Sequence, residues 1–172
     1  MKPGLEEPTV EALYAAHYAE VLAYCARRIG RDGADDAASE VFMIAWRRRD
    51  EIDWAGARPW LFGIARGVIA NGWRSERRRL RLVSRIGGLA PASPPAPDVV
   101  VVRREEDREV LDALAELGEI DREVLMLSAW EGMSAPEIAV AIGVSPSAAE
   151  QRLHRAKRRL AKVLGASKEV GV

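Results

Sequence analysis

Residues 132–160, GMSAPEIAVAIGVSPSAAEQRLHRAKRRL, constrain the chain more than any other stretch, because they spell two short helices joined by a tight turn. Ser134 and Glu137 form an S-x-x-E capping box, which opens a helix whose Ile138, Ala141 and Ile142 share one face. Gly143 supplies the stop, since glycine enters positive φ without a Cβ clash. Val144 reads as an apolar plug, Ser145 as the next N-cap, and Pro146 occupies the first helical position, where its missing N–H is not needed.

The second helix has an inner stripe of Ala149, Leu153, Ala156, Leu160 and Val163, with Ser147, Glu150, Gln151, His154, Arg155 and Arg158 on the opposite face. Two helices, a glycine turn and a polar, basic outer face describe a helix-turn-helix DNA reader. An ordinary αα-hairpin with a solvated basic face satisfies the same pattern, so the rest of the chain must decide.

The 172 residues carry 26 basic and 26 acidic side chains, a balance that hides a strong asymmetry. From Arg58 to Arg85 the only acid is Glu76, Glu105 to Glu123 is mostly acidic, and Arg152 to Lys162 has no acid. A polyanion within a Debye length of about 8 Å responds to such local fields, not to the total. The single cysteine, Cys25, excludes an internal disulfide, fits a reducing compartment and lies in an apolar helical pattern expected to bury it. No apolar run reaches the roughly 20 residues of a membrane span, and no basic-then-apolar leader follows Met1, so a cytoplasmic protein is expected.

Taken in order, residues 1–8 read as a loose arm and Thr9 caps a helix to about Ile29, with Val10, Leu13, His17, Val21, Tyr24 and Cys25 inward. His17 reads as a hydrogen-bonded core histidine. Residues 30–33, GRDG, form a turn, and Asp35 and Asp36 fall in the first turn of the next helix. There Ala38, Val41, Phe42 and Ala45 face inward, while Asp36, Ser39, Glu40, Met43 and Arg47 make a surface that a partner helix could read. Residues 50–57 form a loop containing Trp54. A helix opened by Pro59 then buries Leu61, Ile64, Ala65 and Val68, and carries Arg66, Asn71, Trp73, Arg74, Arg77 and Arg78 off that stripe. Arginines interleaved with aromatic rings suit single-stranded nucleic acid, where charge tracks phosphate and rings stack on bases.

Residues 81–102 are rich in Gly, Pro and Ala and read as a flexible linker of at most about 70 Å, with the VVVV run as extended chain. Val110, Leu111, Leu114 and Leu117 then mark a helix stopped by Gly118. Asp121 caps another through Val124, Leu125, Ser128 and Ala129. The expected fold is all-α: a helical domain over 9–80, the linker over 81–102, and a four-helix helix-turn-helix domain over 103–165, with Gly165 onward as tail.

The ordered set ADDAASEVFMIAWRRR, WLFGIARGVIANGWRSERRR, a Pro/Ala linker and DREVLMLSAWEGMSAPEIAVAIGVSPSAAEQRLHRAKRRL resembles the extracytoplasmic-function sigma factors of bacteria over about residues 9–164. The resemblance implies an initiation factor, not an enzyme, that needs no cofactor and binds core RNA polymerase and promoter DNA. On it, Asp36, Ser39, Glu40, Met43, Trp46 and Arg47 would meet the β′ clamp helices. Trp54, Arg66, Asn71, Trp73, Arg74 and Arg77 would capture the melted minus-10 strand. Ser147, Glu150, Gln151, Arg152, His154, Arg155 and Arg158 would read the minus-35 duplex, in a domain that also touches the β flap. The linker would thread through the polymerase near the active-site and RNA-exit path, and an anti-sigma factor would clamp both domains. The chain departs from the family pattern at Gly67, at Ser39 and at Glu150, whose carboxylate would repel phosphate but can accept from cytosine N4. The residues also fit a stand-alone regulator binding a palindromic operator as a dimer, or a helical adaptor with two basic faces.

Overall fold

The computed structural model describes residues 9–87 and 105–170, with side chains over 9–82 and 108–165. Among the described residues the fold is all-α: α1 (Val10–Ile29), α2 (Arg31–Arg47), α3 (Ala57–Gly87), α4 (Glu105–Ala115), α5 (Glu119–Ala129), α6 (Ala135–Ile142) and α7 (Pro146–Val170). Short 3₁₀ turns at Arg49–Glu51 and Trp54–Gly56 carry the chain from α2 to α3.

Helices α1, α2 and α3 pack on one another through the stripes expected of them, with Val21, Cys25, Ala38, Val41, Ala45, Leu61 and Ala65 fully buried. Thr9 caps α1 by accepting the Ala12 N–H at 3.2 Å. The break to α2 is a single residue, Gly30 at φ +81°, so GRDG is not a four-residue turn and the first turn of α2 holds Asp32 instead of Asp35 and Asp36. Phe62 and Ile69 are buried as well, which widens the inner face of α3 beyond the expected stripe. His17 is hydrogen-bonded, 3.3 Å from Glu20, but it lies at the edge of the core.

In the C-terminal unit α7 packs across α4, α5 and α6. The α6 stop is as expected: Gly143 is left-handed at φ +69°, and the Val144 N–H closes back on the Ala139 carbonyl at 3.0 Å. Ser145 caps α7 by accepting the Ala148 N–H at 3.2 Å. Several expectations shift. Val144 is exposed, and so is Val110, whose place on α4 faces solvent. Asp121 is not a cap, because α5 starts at Glu119 after Gly118. Helix α3 runs seven residues into the stretch read as linker, and α7 continues through Val170, beyond the tail boundary at Gly165. The remainder of the linker, including the VVVV run, and the arm over 1–8 lie outside the described residues.

The two units share one core. Val124, Leu127, Met133, Ile138, Ala139 and Ala141 of the C-terminal helices belong to the same buried cluster as Leu61, Phe62 and Tyr24. A smaller cluster of Leu114, Leu117, Leu125 and Ala156 holds α4 against α7. Contact between the units runs mainly from α3 to α6, where the backbone closes in on Gly63: a Cβ there would meet the Ala141 carbonyl oxygen at 3.2 Å.

Candidate nucleic-acid and polymerase interfaces

On α7 the buried positions are Ala149 and Ala156, both fully enclosed, so the face opposite them is turned outward. Ser147, Glu150, Gln151, His154, Arg155 and Arg158 all stand exposed there. Arg152 does not join them. It leans toward α5, with Nη1 3.8 Å from the Asp121 carboxylate and Nε buried without a hydrogen-bond partner. Asp121 also accepts from Arg159, so one buried carboxylate ties α7 to α5 at two points. The stripe spacing leaves Arg152 off the outer face, and only the family resemblance places it with the minus-35 residues.

The support is reinforced at the other end of α6. The Ser134 N–H and hydroxyl donate to the Glu137 carboxylate at 2.8 and 2.7 Å, and these bonds hold its pKa below the ordinary glutamate value. A depressed carboxylate contributes stability that is present above the unfolded pKa and lost as pH falls through the folded one. Thermal melts between roughly pH 3 and 6 are therefore expected to show a loss of stability on acidification that Glu137→Gln, which retains an acceptor, reduces. Equal acid sensitivity in both proteins would remove Glu137 as a source.

On α2, Asp36, Ser39, Glu40, Met43, Trp46 and Arg47 are all exposed, and they lie on the side away from Ala38, Val41 and Ala45. Met43 is 52% and Trp46 49% exposed, a large apolar area for two residues of one helix. Arg49 lies over the Trp46 ring, 5.6 Å from its centre, and donates to the Trp46 carbonyl at 3.1 Å.

The α3 residues are less uniform. Trp54 sits partly exposed in the turn before α3, where Asp53 accepts from the Ala55 N–H at 3.2 Å. Asn71, Arg74 and Arg77 are exposed, and Asn71 accepts from Arg74. Arg66 and Trp73 are half-buried, the indole packing against the core. Arg66, Trp73 and Arg77 line a cleft of about 680 Å³ whose far wall is Glu119, Arg122 and Glu123 of α5. A second cleft, of about 400 Å³, sets Arg66, Gly67 and Asn71 against Val140 of α6 and the Gly143 stop that follows it. The face of α3 that carries Arg66, Asn71 and Trp73 thus looks into the seam between the units.

That seam holds an ionic cluster that sequence reading missed. Arg28, 3% exposed, donates from Nε and Nη2 to both oxygens of Glu123 at 3.1 Å, and from Nη1 to Glu131 at 3.5 Å. The Tyr24 hydroxyl donates to Glu123 at 2.7 Å, and Arg27 to Glu131 at 2.6 Å. Arg58 reaches the Glu131 backbone carbonyl at 2.7 Å and Glu20 at 2.7 Å. Burial works against the Arg28 charge, but Tyr24, Glu123 and Glu131 outweigh it and raise its pKa. The same burial, with Glu123 beside it, pushes the Tyr24 phenol well up, and burial takes the Cys25 thiol to about 11, an inert group. The available signal was spacing: Arg28 continues the 17, 21, 24 stripe of α1 by four residues, a charge at a core position.

Among the described residues no group of three or more His, Cys, Asp or Glu could hold a metal ion, and no helix is long and apolar enough to cross a membrane. The family model Sigma-70 region 2 matches residues 13–79, and Sigma-70, region 4 matches residues 107–160. The chain is 34% identical over 165 residues to the RNA polymerase sigma factor CnrH of Cupriavidus metallidurans, covering 90% of this chain and 86% of the relative. It is 34% identical over 174 residues to the ECF RNA polymerase sigma factor SigL of Mycobacterium tuberculosis strain H37Rv, covering 97% and 93%. The solved structure of CnrH in complex with the cytosolic domain of CnrY is 28% identical, with a TM-score of 0.59 over 91% of this chain and 88% of that one. The sigma factor RpoE in complex with the anti-sigma factor NepR from Bartonella quintana, at 23% identity, shares the fold, with a TM-score of 0.60 over 90% and 96%. Two region matches in order and near-full-length relatives leave one assignment: the chain belongs to the extracytoplasmic-function sigma factors of RNA polymerase, promoter-directing initiation factors that are not themselves enzymes.

Proposed function

We propose that the chain reads a promoter in two parts, placing α7 in the minus-35 major groove and holding unpaired minus-10 bases on α3, while α2 grips the β′ clamp helices of core polymerase. The observation that carries this is the outward face of α7, where Ser147, Glu150, Gln151, His154, Arg155 and Arg158 stand together over a buried Ala149–Ala156 stripe. A helix so presented offers side chains to base edges and two arginines to phosphate. Arg152, committed to Asp121, orients that helix and does not read DNA.

Footprinting of the chain with core polymerase on promoters mapped from transcription start sites tests this. Protection of both elements and initiation in a purified reaction are expected. Binding to a palindromic duplex by the chain alone, with no effect of core, would favour a dimeric operator-binding regulator instead. Anti-sigma control is supported by the relatives solved with CnrY and NepR, and a regulator of that class is proposed as a partner here.

Within α7 the roles differ by position. Glu150→Arg is expected to change which minus-35 base is preferred, by the roughly 1–3 kcal/mol that one base contact supplies. Arg158→Ala should weaken all sequences alike and lower the salt dependence by about one counterion. A competition assay over a randomised minus-35 library separates them; uniform weakening by both substitutions would overturn the assignment.

A further inference from the structure

We propose that the cleft between α3 and α5 is a binding site for a small amphipathic anion, a carboxylate carried on an apolar body. The inference goes beyond the promoter reading and does not rest on it.

The cleft, at about 680 Å³, falls within the roughly 300–1,000 Å³ of small-molecule sites. Along α3, Arg66, Ala70, Trp73 and Arg77 follow one another at spacings of four, three and four, one line down the helix. At about 1.5 Å per residue the two arginine positions stand some 16 Å apart along the axis, with the apolar pair between them. Ile69 and Met126, both buried, add to the apolar lining. Six charged side chains line the cleft, four guanidiniums against two carboxylates, an excess of two positive charges. Glu123 is taken by Arg28 and the Tyr24 hydroxyl. Arg122 donates to the Leu114, Ala115 and Leu117 carbonyls, at and just beyond the end of α4, at 2.9 to 3.0 Å. Glu119 lies in the first turn of α5, where the helix dipole favours a carboxylate. Arg66 and Arg77, by contrast, have neither an ion pair nor a side-chain hydrogen bond among the described residues. Two uncommitted cations bracketing an apolar strip select an anion that brings its own apolar surface. A bare inorganic anion would leave Trp73 and Ile69 uncovered, and a neutral apolar molecule would leave the guanidiniums without a partner.

The probe is decanoate, titrated into the full chain by calorimetry. Decanol supplies the same body without the charge and acetate the charge without the body, each kept below the concentration at which it self-associates. Saturable one-to-one binding of decanoate is expected, with decanol weaker by about tenfold, the least that a charge-assisted hydrogen bond contributes, and acetate giving no measurable heat. Arg66→Gln with Arg77→Gln should weaken decanoate by about tenfold or more. Arg74→Gln with Arg78→Gln removes the same charge from exposed positions of α3 outside the cleft and should leave the affinity unchanged. Ala70→Phe narrows the cleft, keeps every charge and should abolish binding, which covers the case in which loss of the arginines alters the fold. Of the five tryptophans only Trp73 lines this cleft, so the change in tryptophan emission on adding decanoate should vanish in Trp73→Phe while calorimetric binding persists. Absence of saturable decanoate binding overturns the site. Decanol binding as tightly as decanoate overturns the anion. An equal loss in Arg74→Gln with Arg78→Gln, or an emission change that survives Trp73→Phe, overturns the assignment to this cleft.

Discussion

Trp46→Glu is expected to cut binding to core polymerase by about two orders of magnitude while leaving the fold unchanged. The indole and Met43 present the largest apolar pair on α2, both about half in solvent, beside the charges of Asp36, Glu40 and Arg47. An aromatic anchor ringed by polar side chains is the usual centre of an interface, and truncating one costs roughly 2–4 kcal/mol, or about 30- to 1,000-fold. Glutamate replaces that contact area with a charge. Because the ring stands half in solvent with Arg49 over it, thermal stability should move by no more than about 0.5 kcal/mol. Titration of labelled core polymerase, paired with a thermal melt, reads both quantities. Undiminished affinity would place the clamp contact elsewhere on the chain.

Ile138→Ala carries the largest expected effect on stability. Ile138 is fully enclosed on the short helix α6, yet its cluster extends to Leu61 and Phe62 of α3. Truncation of a buried isoleucine to alanine costs about 2–5 kcal/mol, through lost burial and the cavity left behind. Because that core is continuous, calorimetry should show one cooperative transition that shifts as a whole. Two transitions, with only one displaced by the substitution, would mean that the units melt separately.

Much of the fold was legible because its parts are local. The caps at Thr9, Ser134 and Ser145 and the stop at Gly143 each depend on neighbours within a few residues, and each forms as the sequence states. The stripes of α1, α2 and α3 were equally plain, since periodicity is a property of one helix. What did not show was anything shared between distant segments. Arg28 and Glu123 lie ninety-five residues apart, so neither pattern reveals the other. The stripe leaves Arg152 off the outer face, but its partner Asp121, on another helix, is not visible from that spacing. Asp121 itself was read as a cap because acid near a helix start usually is one, whereas tertiary pairing with Arg159 claims it here. For the candidate interfaces, α2 and α7 were readable from exposure on a single helix. The α3 face was not, since its surroundings depend on where α5 and α6 settle.

The continuation of α3 from Leu80 to Gly87 sets the heading of the chain as it leaves the first unit. Seven residues at about 1.5 Å each carry the exit point some 10 Å along the helix axis. Seven steps of about 100° also fall only some 20° short of two full revolutions. The exit is therefore moved outward along the rod with scarcely any swing around it, and the chain departs from nearly the same side as it would at Leu80. An extension of two residues more would turn it to the opposite side, so the length of this segment acts as an angular setting as well as a distance.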